Sequence, residues 1–537
     1  MSPPCPSRND DLPTLIAALR NPSVYPHAVR GIEVVETHIS WVILSGDYAY
    51  KIKKPVNLGF LDFTGLEQRR FYCEEELRLN RRLAPALYLE VVAIAGSAEH
   101  PLWNGAGDAI EYAVKMRQFP QETLLDRMLE RGALTPQHID ALAAKIAAFH
   151  GEVEVAAADS PFGTPQRVLE PAMENFRQIR ASFDSPADLA ALDALQAWTE
   201  RQHAALAATF AQRKRDGFVR ECHGDMHLGN IALVDGEVTV FDCIEFNDNL
   251  RWIDVVSETA FLAMDLMDRK RADLAWRALN LYLEHTGDYA GLAVLRYYLV
   301  YRAMVRAKVT SIRACQPGLG TAERAAIVER YRGYIALAQG LATPGAAGLI
   351  INHGLSGSGK TTLSQTILEA IGAIRIRSDI ERKRLHGLAA LQRSGSGIAG
   401  GMYAPDATAQ TYARLAELAR AAVEAGFTVI VDATFLRRSQ RDAFRALAAS
   451  LKVGFVICDF QAPAATLRER IAQRLQHGRD ASEADLAVLQ RQLDTQQPLA
   501  PQELADAIVV DSEHGTDVGA AVAQLQAALG IRPQPGT

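Results

Sequence analysis

Gly354-Leu355-Ser356-Gly357-Ser358-Gly359-Lys360-Thr361, with Thr362 behind it, decides the fold of the second half of this chain. It fills the spacing GxxxxGK[ST] without departure. The apolar run Leu349–Ile351 precedes it, and an amphipathic helical pattern begins at Thr361. Glycines at these positions let successive backbone N–H groups close on phosphate oxygens, and a helix N-terminus adds a favourable field. Lys360 is expected to reach the β- and γ-phosphates, and Thr361 to hold Mg²⁺. Gly354, Ser356, Gly357, Ser358, Gly359 and Thr362 complete the cradle.

Around this loop the rhythm is strand, loop, helix. Strands are expected at Leu349–His353, Ile374–Arg377, Thr428–Val431, Val453–Asp459 and Ala507–Val510. Helices between them imply a parallel sheet with right-handed crossovers. Asp379 stands at the C-terminal edge of the second strand, where open α/β sheets bind ligands. Arg382 is one helical turn on, so the two can share a cleft, with Asp379 taking an acceptor proton and Arg382 bracing the transferred group. Asp432, ending Val429-Ile-Val-Asp, reads as a metal-facing carboxylate. Arg468, Arg470 and Arg474 precede a polar segment from Gly478 to Glu483. Arg470 and Arg474, at i and i+4, suit a lid that closes over the nucleotide. Gly387–Pro405 is Gly/Ser-rich and reads as a loop.

The first half carries a second phosphoryl-transfer pattern, His223-Gly-Asp-Met-His-Leu-Gly-Asn230, with Asp242 ending Val238-Thr-Val-Phe-Asp. Asp225 and Asn230 have the spacing of the kinase catalytic loop. Asp225 reads as the base or acceptor-orienting group. Asn230 and Asp242 offer the hard oxygen ligands that Mg²⁺ favours. His227 is a neighbouring or loop residue, and His150 a C-terminal helix residue.

These residues resemble the aminoglycoside phosphotransferase family, which includes choline-kinase-like enzymes, over about residues 30–340. The resemblance implies an α+β, two-lobed, protein-kinase-like fold with a lysine on an upstream strand. Lys51 fits that lysine, with Lys53 on the same strand face as second candidate. Its carboxylate partner is expected at Glu76, with Glu75 next. Met116–Phe119 fits an adenine hinge, and the Leu44–Asp47 turn a cover for the nucleotide. Arg251–Asp254 resembles a structural acidic segment of that family. A polycationic acceptor would call on Asp248, Asp254, Asp265 and Asp268, which otherwise are helix-surface charges. The second half resembles small P-loop kinases of the polynucleotide-kinase, gluconate-kinase and zeta-toxin type, an α/β P-loop NTPase fold, over about 348–530.

Thr343-Pro-Gly-Ala-Ala-Gly348 is the expected linker. The expected division is a leader at 1–30, a kinase-like domain at 31–342, the linker at 343–348, a P-loop kinase domain at 349–530 and a tail at 531–537. The 537 residues are 48% apolar and 22% charged with net charge −6, enough for packed cores but without a broad basic surface for nucleic acid. The six cysteines show no metal-ligand spacing, as in a reducing compartment. Arg296, Arg302, Arg306 and Lys308 interrupt the most apolar helical stretch, so no membrane span is expected. The leading expectation is a cytoplasmic bifunctional phosphotransferase using ATP and Mg²⁺ on small-molecule hydroxyl acceptors. The alternatives are a nucleic-acid end-processing enzyme and a nucleotide-sensing regulator with one inactive domain.

Overall fold

The apolar run Trp41–Leu44, the turn at Gly46-Asp47 and the alternating Tyr48–Lys53 build an antiparallel hairpin. In the computed structural model, helix α1 (Leu12–Ala18) is followed by strands β1 (Glu33–Glu36), β2 (Ser40–Ser45) and β3 (Tyr48–Lys53). Helix α2 (Leu66–Asn80) precedes β4 (Tyr88–Gly96), β5 (Pro101–Trp103) and β6 (Glu111–Arg117). The antiparallel sheet has the order β1-β2-β3-β6-β4-β5. Ile43, Tyr50, Ile52, Val92 and Ile94 pack with Leu12, Leu15 and Ile16 of α1. Successive strand residues face opposite sides, so Tyr50 and Ile52 in this core put Ala49, Lys51 and Lys53 on the other face.

The structure describes residues 12–531 apart from 30, 58, 60, 184, 317, 391, 393–401, 403, 478–481 and 513–517. Most of the expected loop at 387–405, the start of the polar segment at Gly478, the tail from 532 and residues 1–11 of the expected leader lie outside the described residues.

Helices α3 (Leu125–Glu130), α4 (Pro136–Glu152), α5 (Pro165–Arg180) and α6 (Pro186–Arg215) come next. The β-rich insert follows as β7 (Val219–Glu221), β8 (Ile231–Val234), β9 (Glu237–Val240), the short α7 (Asp248–Arg251) and β10 (Trp252–Asp254). β8 and β9 form a hairpin, and β7 pairs with β10. Then come α8 (Val255–Asp268), α9 (Ala272–Thr286), α10 (Leu292–Ala314) and α11 (Thr321–Ala342).

The second half alternates as expected: β11 (Gly348–His353), α12 (Lys360–Ile371), β12 (Ile374–Arg377), α13 (Ser378–Leu385), α14 (Pro405–Glu424), β13 (Val429–Asp432), α15 (Arg438–Leu451), β14 (Gly454–Gln461), α16 (Ala464–His477), α17 (Leu486–Thr495), β15 (Ala507–Asp511) and α18 (Val518–Leu529). The five strands are parallel in the order β12-β13-β11-β14-β15. Ile350, Ile430, Val456 and Phe460 pack with Ile367, Leu368 and Ile371 of α12 and Leu525 of α18.

The chain divides into two compact units, residues 1–138, 149–167 and 211–258 in one, and 139–148, 168–210 and 259–537 in the other. The helices from Thr259 to Ala342 thus group with the parallel sheet. No helix among the described residues is long and apolar enough to cross a membrane.

Candidate active sites

The strand lysine and the helix glutamate meet as expected. Lys51 Nζ lies 2.8 Å from Glu76 Oε1 and 2.6 Å from Asp242 Oδ1. Glu76 is fully buried, whereas Glu75 pairs with Arg78 on the outer side of α2. Lys53 is no idle alternate. Its Nζ donates to Glu76 Oε2 at 2.7 Å and also pairs with Glu245. Two lysines on one strand face therefore share one buried carboxylate. Burial alone would push the Glu76 carboxyl up, but the ammonium groups of Lys51 and Lys53 outweigh it and hold it down at about 2. Burial, helped by the neighbouring Glu76 carboxylate, pushes Glu245 up against the pull of Lys53. Glu245 went unmarked in the sequence, since nothing local ties a residue three places after Asp242 to a strand 192 residues upstream.

The catalytic loop is tied down at both ends. Asn230 Nδ2 donates to the Asp225 carbonyl and to Asp225 Oδ2, each at 3.0 Å. That leaves Asn230 Oδ1 as the oxygen for a cation. Burial pushes the His223 imidazole pKa down. The neutral ring fits its partners: Nε2 donates to the Phe241 carbonyl at 2.8 Å, and Nδ1 accepts the Asp225 N–H at 3.3 Å. His223 thus links the Asp225 loop to the segment bearing Asp242. Gly224 has φ +90°, and a Cβ there would stand 2.7 Å from the Leu250 carbonyl, so glycine is required. Beneath the loop, buried Glu258 accepts the His223 and Gly224 N–H groups at 2.7 and 2.6 Å and meets His150 Nε2 at 2.8 Å. His150 is therefore part of the loop's support, a role its helix-terminal position did not announce. Asp242 adopts φ +64°, uncommon for a residue with a side chain, and its N–H donates to Tyr88 Oη at 3.1 Å. Its side chain is 43% exposed, which leaves it open to an ion as well as to Lys51.

Met116–Phe119 follows β6, and the Gln118 N–H donates to the Asp47 carbonyl at 2.9 Å. The 44–47 turn is thus tied to the expected hinge. Ser40 pairs with Lys53, so the β1–β2 connection at Thr37–Ile39 is the turn at the lysine end of the sheet. Asp254 is buried in a two-point pair with Arg213 at 2.6 and 2.9 Å, and Asp265 is fully buried. Neither supplies an acidic acceptor surface.

The second site lies at the C-terminal ends of β11, β12 and β13. Gly354 has φ +143°, and a Cβ there would stand 2.6 Å from the Phe460 carbonyl. Lys360 Nζ donates to the carbonyls of Gly354 and Leu355 at 2.9 and 2.7 Å and to Ser358 Oγ at 3.3 Å. Thr361 Oγ1 donates to Asp432 Oδ2 at 2.8 Å, and Asn352 Nδ2 to Asp432 Oδ1 at 3.1 Å. A hydroxyl and a carboxylate at this separation are hard donors of the kind Mg²⁺ takes beside phosphates, as are Asn230 and Asp242 in the first site. Ser356 to Thr362, Asp379, Arg382, Asp432, Arg470 and Arg474 all line one cavity of about 760 Å³. Arg382 Nη1 donates to the Met402 carbonyl at 2.9 Å. Arg470 bonds the Gly357 and Ser512 carbonyls, and Arg474 the Ala484 carbonyl, so both brace loop backbone. Arg468 is exposed. Arg441 is wholly buried against Glu503 at 2.7 and 2.9 Å, a structural pair.

Burial pushes the Lys360 ammonium down to about 8, with Asp432 and Asp379 partly offsetting it. Phosphates favour the charged form, so nucleotide binding raises this pKa. The affinity of the second site for ATP should be flat below about pH 8 and fall toward tenfold per pH unit above it. The check is binding of fluorescent N-methylanthraniloyl-ATP, taking the component that Lys360→Ala removes. A flat profile from pH 7 to about 9.5 would show that Lys360 stays charged in the free protein.

Residues 69–295 match the family model described as the phosphotransferase enzyme family, and residues 349–499 one described as an AAA domain. A Mycobacterium tuberculosis protein described as uncharacterised, Rv2004c, is 31% identical over 464 residues, covering 86% of this chain and 90% of its own. The Mycobacterium bovis protein Mb2027c matches to the same extent. Among solved structures, the amicoumacin kinase hAmiN is 16% identical and covers 61% of this chain and 94% of its own, with TM-score 0.39. A gluconokinase from Sinorhizobium meliloti is 24% identical and covers 34% of this chain and 93% of its own, with TM-score 0.25.

Proposed function

We propose that this chain, an ATP-dependent kinase that belongs to the family of those mycobacterial proteins and joins a phosphotransferase-family domain to a P-loop kinase domain, carries two working transfer sites. Each moves the γ-phosphate of ATP to a hydroxyl of a small molecule. The observation that carries this reading is that both sets of polar side chains are complete and mutually bonded. Lys51 meets Glu76 and Asp242, Asn230 meets Asp225, and Thr361 meets Asp432. A domain kept only as a sensor has no need of the acceptor-side Asp225.

In the first site Lys51 moves from Asp242 to the phosphates when nucleotide enters, and Glu76 keeps it in place. Asn230 and Asp242 would hold Mg²⁺, which would neutralise phosphate charge when bound. Asp225 orients the acceptor hydroxyl. As its oxygen bonds to the γ-phosphorus and the bond to the β,γ-bridging oxygen breaks, the proton passes to the Asp225 carboxylate. In the second site Lys360 and the loop N–H groups take the phosphates, Thr361 and Asp432 would hold the cation, and Asp379 receives the acceptor proton. Six arginines and Lys360 face four carboxylates along that cavity, which favours an acceptor bearing its own negative group.

The test is transfer from γ-labelled ATP by the full-length protein to a panel of small alcohols, half of them phosphorylated or carboxylated. Every labelled product should disappear in either Asp225→Asn or Lys360→Ala, with at least one product lost in each. If one variant removes no product, the site it disables is inactive and the two-site reading fails. Label passing only to oligonucleotide ends would replace it with nucleic-acid end processing.

A further inference from the structure

β12 is an edge strand of the parallel sheet, and an edge normally leaves backbone groups without partners. Here α9 covers it. Asn280, fully buried, accepts the Arg375 N–H on Oδ1 at 2.6 Å and donates from Nδ2 to the Ala373 carbonyl at 2.9 Å. Tyr289 Oη donates to the Arg375 carbonyl at 3.3 Å. One amide side chain thus pairs with the edge as a sixth strand would. Trp276 of α9 packs onto the same core as Ile367 and Ile371 of α12, and Arg277 pairs with Glu369 of α12 at 2.9 Å.

The side chain of Arg375 carries the connection inward. It is 2% exposed. Its Nε and Nη2 donate to Glu284 Oε1 at 3.1 and 2.8 Å, and its Nη1 donates to the Thr361 carbonyl at 3.0 Å. Glu284 Oε2 also receives Arg377 Nη1 at 3.4 Å. A guanidinium is a rigid planar fork, so holding two of its nitrogens on Glu284 fixes where the third can point. It points at the backbone of the residue whose hydroxyl meets Asp432 and which follows Lys360. Glu284 lies in the stretch matched by the phosphotransferase model, whereas Thr361 and Arg375 lie in the stretch matched by the AAA model.

We propose that Glu284 is a positioning residue for the nucleotide loop of the second site, acting through Arg375 on Thr361. The second kinase site is therefore completed by a helix outside its own family region. The inference rests on the kinase reading of that site.

The test uses full-length protein and the component of N-methylanthraniloyl-ATP binding that Lys360→Ala removes. Glu284→Gln keeps the side-chain shape but takes away the counter-charge of a buried guanidinium. It should weaken Mg²⁺-dependent binding about tenfold and raise the Mg²⁺ concentration at half-saturation, with less effect in the absence of Mg²⁺. Arg375→Met should do the same, and the double variant should be no weaker than Arg375→Met alone, because both changes cut one path. Melting temperature, followed in parallel, fixes a measuring temperature at which all variants are folded. Unchanged affinity and Mg²⁺ midpoint in both single variants at that temperature overturn the inference, even if both melt earlier. Losses that multiply in the double variant overturn it too. If the parent protein shows no Lys360-dependent binding, the kinase reading of the second site falls first and the inference with it.

Discussion

Asp225→Asn slows phosphate transfer at the first site on the order of 10³-fold while ATP binds as before. The asparagine keeps the shape of the carboxylate and can still meet Asn230, whose Nδ2 stands 3.0 Å from Asp225 Oδ2. What disappears is the carboxylate proposed to take the hydroxyl proton as the new bond forms. A loss of that size corresponds to about 4 kcal/mol of transition-state stabilisation. The proposed nucleotide contacts of Lys51, Asn230 and Asp242 are untouched, so the change belongs in kcat. Steady-state transfer to whichever acceptor the panel identifies, with ATP varied, separates the two constants. A variant within tenfold of the parent would show that Asp225 is not the proton acceptor and that the hydroxyl needs none.

Glu76→Gln has the largest expected effect on stability. Glu76 is 0% exposed and holds both Lys51 and Lys53, at 2.8 and 2.7 Å. Removing its charge leaves two buried ammonium groups to Asp242 and Glu245, and breaking a buried pair in this way costs roughly 3–5 kcal/mol. For a unit of this size the melting transition of the unit that holds Glu76 should drop by on the order of 10 °C, read by scanning calorimetry. The pH dependence has a definite sign. The folded carboxyl, at about 2, is depressed below its ordinary value of 4.5, so the stability it contributes is present above pH 4.5 and is lost as pH falls from there toward 2. Glu76→Gln should therefore flatten that acid limb. A melting point within about 2 °C of the parent would mean that Glu245 and Asp242 suffice for both lysines.

Some of this molecule was legible residue by residue. Asp225, Asn230 and Asp242 sit at spacings that only a loop and a hairpin can bring together, and Gly354 to Thr361 forms its cradle from consecutive backbone. Strand limits in the second half agree with the apolar runs to within two residues, and the inner strands β11 and β13 are buried on both faces of the parallel sheet. Other features had no local mark. Glu245, Glu258, His150 and Glu284 are charged or titratable residues whose partners lie far away in sequence, and nothing in their neighbours names those partners. Even Lys51 and Lys53 read as rivals in the sequence, although their shared face lets both reach one carboxylate.

The sequence by itself determined the two kinase-family motifs, the alternation that makes the second half a parallel sheet, and which side chains stand at each candidate site, because these depend on short spacings and backbone geometry. The tertiary structure alone decided how charges are divided: one glutamate for two lysines, a glutamate and a histidine beneath the catalytic loop, and a helix of the phosphotransferase stretch that closes the sheet edge and reaches the nucleotide loop through Arg375. A buried charge takes its partner from whatever the fold brings within about 3 Å, and chain separation sets no limit on that choice.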